Sequence, residues 1–446
     1  MVDSCQPFHR NRVAGVFIRV VQLHQAAVCR LDDCCTRAGA DFEQFVQAFV
    51  KRHIESIGLW HRAVRRSRAE GLPDSGWLPT VSWGRIVRDF PTRDNLQMAP
   101  LPAAPSGIHP FESLTPDLVL DALQHIGLLG DGRLMALSSY ENRVYQVQLE
   151  DGSTVVAKFY RPQRWSEAQI LEEHSFSHEL MAAEVPAVGP MLVDGRSLHR
   201  FGGFAFSVSP RRGGRLPELD DADVLEWIGR FLARIHSVGA TSGFVHRPAL
   251  NVHTFAIEQR EWLLTHAKVP LDVQSAWERL SQQAIDAIGA HPTLTGMAKA
   301  DGTAAIRLLR LHGDCHPGNI LWTPIDAPAA SGPGPHFVDL DDARTGPAVQ
   351  DLWMLLSGDR RQRQRQLGLL VDGYEQFRPF DRRELALIEP LRTLRLIHYS
   401  AWLARRWDDP IFPINFPWFG SSDYWQGQVQ MLEEQLEAMQ EEPLVV

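Results

Sequence analysis

The stretch Leu311-His-Gly-Asp-Cys-His-Pro-Gly-Asn319 constrains this chain more than any other. It puts His312, Asp314 and Asn319 on one short loop, with Pro317-Gly318 as a turn signal inside it. Apolar runs flank it: Ile306 to Leu311 before and Ile320-Leu321-Trp322 after. The pattern predicts two buried strands joined by a hairpin-like turn. A loop of that length turns both Asp314 and Asn319 toward one point. An Asp followed at this distance by an Asn suits phosphoryl transfer: the Asp orients the attacking hydroxyl and takes its proton, and the Asn oxygen binds magnesium. A second acid cluster follows in Phe337-Val338-Asp339-Leu340-Asp341-Asp342. Asp339, at the end of an apolar pair, suits a magnesium ligand facing ATP phosphates. Asp341 and Asp342 are expected to be solvated strand-end or helix-cap acids. His312 is expected to brace the backbone and not to act as a base.

Upstream, Val155-Val156-Ala157-Lys158-Phe159-Tyr160 is an apolar strand with one lysine. Burying that lysine is costly unless an anion meets it, so Lys158 is expected to hold the α- and β-phosphates of ATP. The helix predicted over 166–184 should supply its partner carboxylate. Glu172 and Glu173 are adjacent and face different ways; Glu173 is preferred and the alternative stays open. Asp151-Gly152 predicts a hairpin turn before the lysine strand. The stretch 138–142 (Ser-Ser-Tyr-Glu-Asn) reads only as a polar turn on its own terms. Residues 206–214 read as a strand leaving into a flexible crossover, where a kinase hinge would hold adenine.

Several separate stretches occur in a telling order: SYENRVYQV, VVAKFYRP, QILEEH, LHGDCHPGNILW, FVDLDDARTGPAVQDLWMLL and FPINFPW. Together they resemble the aminoglycoside phosphotransferase and choline kinase superfamily, and within it the bacterial stress response kinase A group. The resemblance runs from about Phe111 to about Gln440. It implies an α+β, two-lobed, protein-kinase-like fold of the aminoglycoside phosphotransferase type. A small β-rich lobe (108–210) would bind nucleotide, and a larger, mainly helical lobe (211–446) would carry catalysis and the acceptor. It implies Asp314 and Asp339 as catalytic residues, Asn319 and Asp339 as magnesium ligands, and Ser139, Lys158 and Glu173 as nucleotide-side residues. It places Asp351 beneath the catalytic loop as support. It further implies ATP as co-substrate, Mg2+ as cofactor and Ser or Thr on proteins as acceptor, the chain itself included, in a role protecting cells under stress. The alternative is a small-molecule hydroxyl kinase acting on an amino alcohol, sugar or antibiotic, which would use the same loop. A third reading, a pseudokinase scaffold, is opposed by the intact Lys158, Asp314, Asn319 and Asp339.

Composition narrows the setting. The net charge of −9 argues against general nucleic-acid binding. No run of about 18 apolar residues occurs, so no membrane span is expected. Five cysteines, an odd number, with no signal-peptide pattern, suggest a reducing cytoplasm. Cys315 reads as an inert packing residue. A monomer is expected. Residues 1–107 carry 14 Lys and Arg against 10 Asp and Glu, unlike the acidic remainder. They include a candidate amphipathic helix over 42–64, a basic run over 62–68 and, toward 110, a proline-rich linker. This extension lies outside the resemblance.

In the rest of the chain, Thr115-Pro116 signals a helix start, and a strand is expected over 191–193. An amphipathic helix is expected over 222–237, a helical region over 250–300, and a kink at Pro390 within 384–407. A packed irregular segment is expected over 408–418 and an acidic terminal helix over 431–440.

Overall fold

The computed structural model describes residues 109–291, 306–324 and 332–446. The expected helix over 42–64, the basic run and most of the proline-rich linker lie outside the described residues. Helix α1 (Pro116–His125) opens as its sequence dictates. Thr115 Oγ1 accepts the Leu118 N–H at 3.2 Å, and Pro116 occupies the first turn, where its missing N–H is not needed.

Five strands then form an antiparallel sheet: β1 (Gly130–Ala136), β2 (Arg143–Leu149), β3 (Thr154–Phe159), β4 (His199–Phe201) and β5 (Phe204–Pro210), in the order β1-β2-β3-β5-β4. Helix α2 (Glu167–Ala182) sits between β3 and β4 in the chain, and starts on a reciprocal cap between Ser166 and Gln169. Alternation along β3 sends Val155, Ala157 and Phe159 into the core and Lys158 to the opposite face. One hydrophobic core joins α1 to the sheet through Val119, Leu123, Val147, Phe159 and Phe206. The expected strand over 191–193 is reduced to a bridge between Val193 and Arg196, and β4 was not foreseen in so short and polar a segment. After β5 the chain crosses to the helical part. Gly214 packs so closely on Leu321 that a Cβ would stand 2.7 Å from the Leu321 Cβ, and Arg215 and Trp322 bond through their backbones.

The larger part holds α3 (Ala222–Gly239), a wide helical turn over His253–Ile257, α4 (Glu258–Thr265) and α5 (Leu271–Gly289). Then come β6 (Leu309–Leu311), β7 (Ile320–Thr323), β8 (Gly334–Phe337) and β9 (Arg344–Gly346). It ends with α6 (Val349–Trp353), α7 (Arg360–Tyr374), α8 (Ile388–Arg405), α9 (Ile411–Asn415) and α10 (Ser422–Ala438). A second hydrophobic core fills it, built from residues such as Ile228, Leu232, Leu352, Leu370, Ile397 and Trp425, and it also takes in Phe176 and Leu180 of α2.

Two expectations fail. The strands flanking the 311–319 loop do not pair with each other: β6 pairs with β9 and β7 with β8. The loop is thus a crossing between two small ribbons. Nor does Pro390 break a helix. The chain runs as a 3-10 turn over Arg382–Leu387, and α8 starts at Ile388, which leaves Pro390 in the first turn, where no intrahelical N–H is lost. The segment 408–418 is a packed cover as expected, with Phe412 buried, and it contains the short helix α9. No described helix is long and apolar enough to cross a membrane.

Candidate active site

The loop between β6 and β7 is fixed from below. Asp351 of α6 is fully buried; its two carboxylate oxygens accept the backbone N–H groups of His312 (2.9 Å) and Gly313 (2.8 Å). It also accepts from His236 Nε2 at 3.1 Å, and His236 Nδ1 meets the Tyr374 hydroxyl at 3.0 Å. Gly313 is required: its φ is +84°, and a Cβ there would stand 2.2 Å from the Asp342 carbonyl oxygen. The His312 ring reaches the Val338 carbonyl at 3.0 Å through Nε2, so it braces the Asp339 segment.

Asn319 uses its side-chain N–H to bond the Asp314 carbonyl at 2.9 Å, and among the described residues its side-chain oxygen meets no donor. Its own carbonyl accepts the Val338 N–H at 3.0 Å. Asp314 Oδ1 pairs with Arg395 of α8 at 2.7 Å, and Oδ2 lies 3.6 Å from His316. Burial alone would push the Asp314 carboxyl up, but Arg395 and then His316 outweigh it and hold it below the usual range. Burial pushes the Cys315 thiol far up, which leaves it protonated among packed neighbours.

Asp339 adopts left-handed backbone angles (φ 58°, ψ 63°), uncommon for a residue other than glycine. The two bonds made by Val338 and the 3-10 turn over Leu340–Asp342 hold it there. Its carboxylate is about half exposed and meets Lys158 Nζ at 2.7 Å through Oδ1. Asp341 is not solvated, contrary to expectation, and Asp342 is only partly exposed. Asp341 is buried against Lys158 (3.2 Å), Arg164 and the Asn142 side-chain amide (3.2 Å). Asp342 pairs with Arg164 at 3.0 Å and Arg344 at 2.6 Å. The turn folds both acids inward, and arginines from elsewhere in the chain balance them. Burial would raise the Asp341 carboxyl, but Lys158 and Arg164 bring it down to about 2. Burial would likewise lower Lys158, yet Asp339 and Asp341 keep its ammonium strongly protonated.

The two candidate glutamates of α2 face different ways. Glu172 accepts three backbone N–H groups, from Val245 (2.5 Å), His246 (2.9 Å) and Arg247 (2.7 Å). Glu173 is the buried one, and its carboxylate accepts from Ser177 Oγ at 3.1 Å. The expected ion pair between Glu173 and Lys158 is not formed, because Asp339 and Asp341 occupy the ammonium. Burial pushes the Glu173 carboxyl up, and the nearby Lys158 charge opposes this.

Ser139 lies in the turn between β1 and β2. Its hydroxyl accepts the Val144 N–H at 3.1 Å and donates to the Leu137 carbonyl at 3.4 Å, so it closes the turn. The same turn is tied to the helical part. Glu141 accepts from Trp402 Nε1 at 2.6 Å and pairs with Arg161 (3.0 Å) and Arg406, and the Tyr140 ring meets Phe416 edge-on at 4.9 Å.

Reading the sequence missed Arg164, Arg395, Glu141 and the closed state of Asp341. Arg164 and Asp341 are 177 residues apart, and no local signal marks such a pair.

A lysine on the inner face of a sheet, an Asp–Asn loop clamped from below and an Asp turned toward the lysine define a kinase-type phosphotransferase. Residues 134–388 match the model of the phosphotransferase enzyme family, and the chain belongs to that family. Over 334 residues it is 46% identical to stress response kinase A of Escherichia coli K12, which covers 75% of this chain and 96% of that protein. It is 43% identical over the same length and shares to the serine/threonine protein kinase RdoA of Salmonella typhimurium LT2. Two solved structures share the fold at low identity. An amicoumacin kinase solved with AMP-PNP and Ca2+ aligns with a TM-score of 0.52 at 17% identity, covering 72% of this chain and 93% of that one. A microcompartment-associated aminopropanol kinase aligns with a TM-score of 0.51 at 15% identity, covering 72% and 95%.

Proposed function

We propose that this chain transfers the γ-phosphoryl group of Mg-ATP to Ser or Thr hydroxyls of proteins, itself included, as a stress-response kinase of the cytoplasm. The observation that carries the reading is the bonding between the two acidic segments. Asn319 bonds Asp314 through its side chain and Val338 through its backbone, and His312 bonds Val338 in turn. Asp314, Asn319 and Asp339 thereby share one rigid frame, with Lys158 facing Asp339. The acceptor class rests on the relatives named as stress response and serine/threonine protein kinases, which this chain matches over nearly their whole length.

In this reading residues 108–210 bind the nucleotide and 211–446 carry catalysis and the acceptor. Lys158 holds phosphate oxygens by charge, and the turn bearing Ser139 covers them. Asp314 orients the acceptor hydroxyl and takes its proton as the oxygen bonds to phosphorus and the bridging oxygen leaves with ADP. Its depressed carboxyl is ionised near neutral pH, as that role needs. Glu173 is held in reserve as the partner of Lys158 once phosphates draw the ammonium from Asp339. The residues fit magnesium: the free side-chain oxygen of Asn319 and the second oxygen of the half-exposed Asp339 are hard donors. Bound there, the ion would neutralise charge on the transferring phosphates.

The test is labelled-phosphate transfer from Mg-ATP, comparing the wild type with Asp314→Ala on a generic protein acceptor and on the chain alone. Label on protein should fall by about 10²- to 10⁴-fold in the variant while nucleotide binding persists. Undiminished transfer would remove Asp314 from its role. ATP consumption by the wild type with no labelled protein would point instead to a small hydroxyl acceptor.

A further inference from the structure

Among the described residues, Asp314 meets two basic side chains, Arg395 and His316. They are not equivalent. His316 is farther, at 3.6 Å. Arg395 is at 2.7 Å and carries a permanent charge.

Arg395 also differs from the other arginines around the site. Arg164 is 12% exposed and shared among Glu141, Asp341 and Asp342. Arg161 is 9% exposed and shared between Glu141 and Asp409. Arg395 is 36% exposed, and among the described residues Asp314 is its only ion-pair partner. Its planar fork keeps donors available for a second anion.

The nearby carboxylates show the converse. Asp341, Asp342 and Glu141 are each closed by arginine. Asp339 faces Lys158. An ammonium group arriving beside Asp314 would therefore meet a guanidinium, and among these carboxylates the free oxygen is that of Asp339, which the reading above gives to magnesium. A carboxylate or phosphate arriving there would find an open cationic fork.

We propose that Arg395 determines acceptor specificity: it holds Asp314 until the acceptor hydroxyl takes that place, then binds an anionic group beside the hydroxyl. The site accordingly takes Ser or Thr in acidic sequence and rejects hydroxyls flanked by cations. The inference rests on the protein-acceptor reading above and adds the chemistry of the sequence around the acceptor. A charge-assisted hydrogen bond of this kind corresponds to roughly a 10- to 100-fold preference.

The experiment uses the full chain with Mg-ATP and two peptides that share one Ser, flanked in one by Glu and in the other by Lys. The ratio of their kcat/KM values is the readout, because a merely structural Arg395 would slow both alike. The wild type should favour the Glu peptide by roughly 10- to 100-fold. Arg395→Gln should bring the ratio near one, Arg395→Glu should invert it, and Arg395→Lys should keep its direction. No acidic preference in the wild type, or a preference that survives in Arg395→Gln and Arg395→Glu, overturns the proposal. If the wild type labels neither peptide, the protein-acceptor reading fails, and the comparison passes to a small hydroxycarboxylate against ethanolamine. Preference for the hydroxycarboxylate, lost in Arg395→Gln, sustains the role of Arg395; turnover of ethanolamine, or of neither compound, overturns it.

Discussion

Glu384 shows how one buried residue couples the 311–319 loop to pH. It is 3% exposed, and its Oε2 accepts the Val349 N–H at 2.8 Å, at the start of the short helix that carries Asp351. Burial pushes its carboxyl up to about 7; the Val349 N–H pulls it down, Asp381 adds to the rise, and Arg378 and the Ala348 N–H oppose it. A carboxyl whose folded value exceeds its unfolded one holds its proton more tightly in the folded chain. Its contribution to stability is whole below the unfolded value near 4.5 and is lost as pH rises through 7. The shift corresponds to roughly 3 kcal/mol. Stability to urea should fall between about pH 5 and about pH 8, and Glu384→Gln should flatten that fall. A variant as pH-sensitive as the wild type would discard the assignment. Asp341 has the opposite sign: held at about 2, its contribution is present above its unfolded value and fades as pH drops toward 2. At this scale the sequence was legible where chemistry is contiguous. Asp314 and Asn319 share one loop, and Asp339 ends an apolar run. It was illegible where charge closes across the chain, as for Arg164 and Asp341, or Val349 and Glu384, 35 residues apart.

Helices α3 and α7 meet backbone to backbone through two glycines. A Cβ on Gly229 would stand 2.1 Å from the Leu370 carbonyl oxygen, and one on Gly373 would stand 2.0 Å from that of Glu226. The amphipathic period of α3 was plain in the sequence, but a glycine inside a helix reads there only as a propensity cost. Its role as a contact depends on which helix lies opposite, and one sequence does not carry that. The same gap explains the strand pairing around the 311–319 loop. Apolar runs on both sides of a tight turn suggest a hairpin locally, yet β6 and β7 each take a partner from Gly334 onward. Gly229→Ala should lower stability by about 2 kcal/mol or more, since helix backbones cannot yield as side chains do. Gly368→Ala on the same α7 is the control: nothing lies within 4 Å of its added Cβ, so it should be neutral or stabilising by up to about 1 kcal/mol. Urea midpoints for the two variants decide the matter, and equal effects would refute the close-contact account.

The sheet and the helical part have separate cores, with α2 packing into the second, and a buried polar network around Asp409 adds to that apolar join. It is 2% exposed between α8 and α9 and pairs with Arg143 (2.7 Å) and Arg161 (2.6 Å) from the sheet part. Both guanidiniums also lie over the Phe111 ring, at 4.4 and 5.3 Å. Arg161 continues to Glu141, which Trp402 and Arg406 of the helical part hold. The turn expected to cover the nucleotide is therefore anchored through the same network that joins the two parts. Asp409→Ala would take the anion from Arg143 and leave Arg161 with Glu141 alone, a loss on the order of 3–5 kcal/mol for a buried pair. Because each part keeps an intact core, the loss should fall on their coupling. Thermal unfolding of the variant should broaden or split into two steps, and the KM for ATP should rise as the Ser139 turn loosens. Asp409→Asn, which keeps an acceptor oxygen but not the charge, should fall between the variant and the wild type. A single sharp transition with unchanged KM in Asp409→Ala would mean that the apolar contact of Tyr140 with Phe416, and not the charge network, holds the parts together.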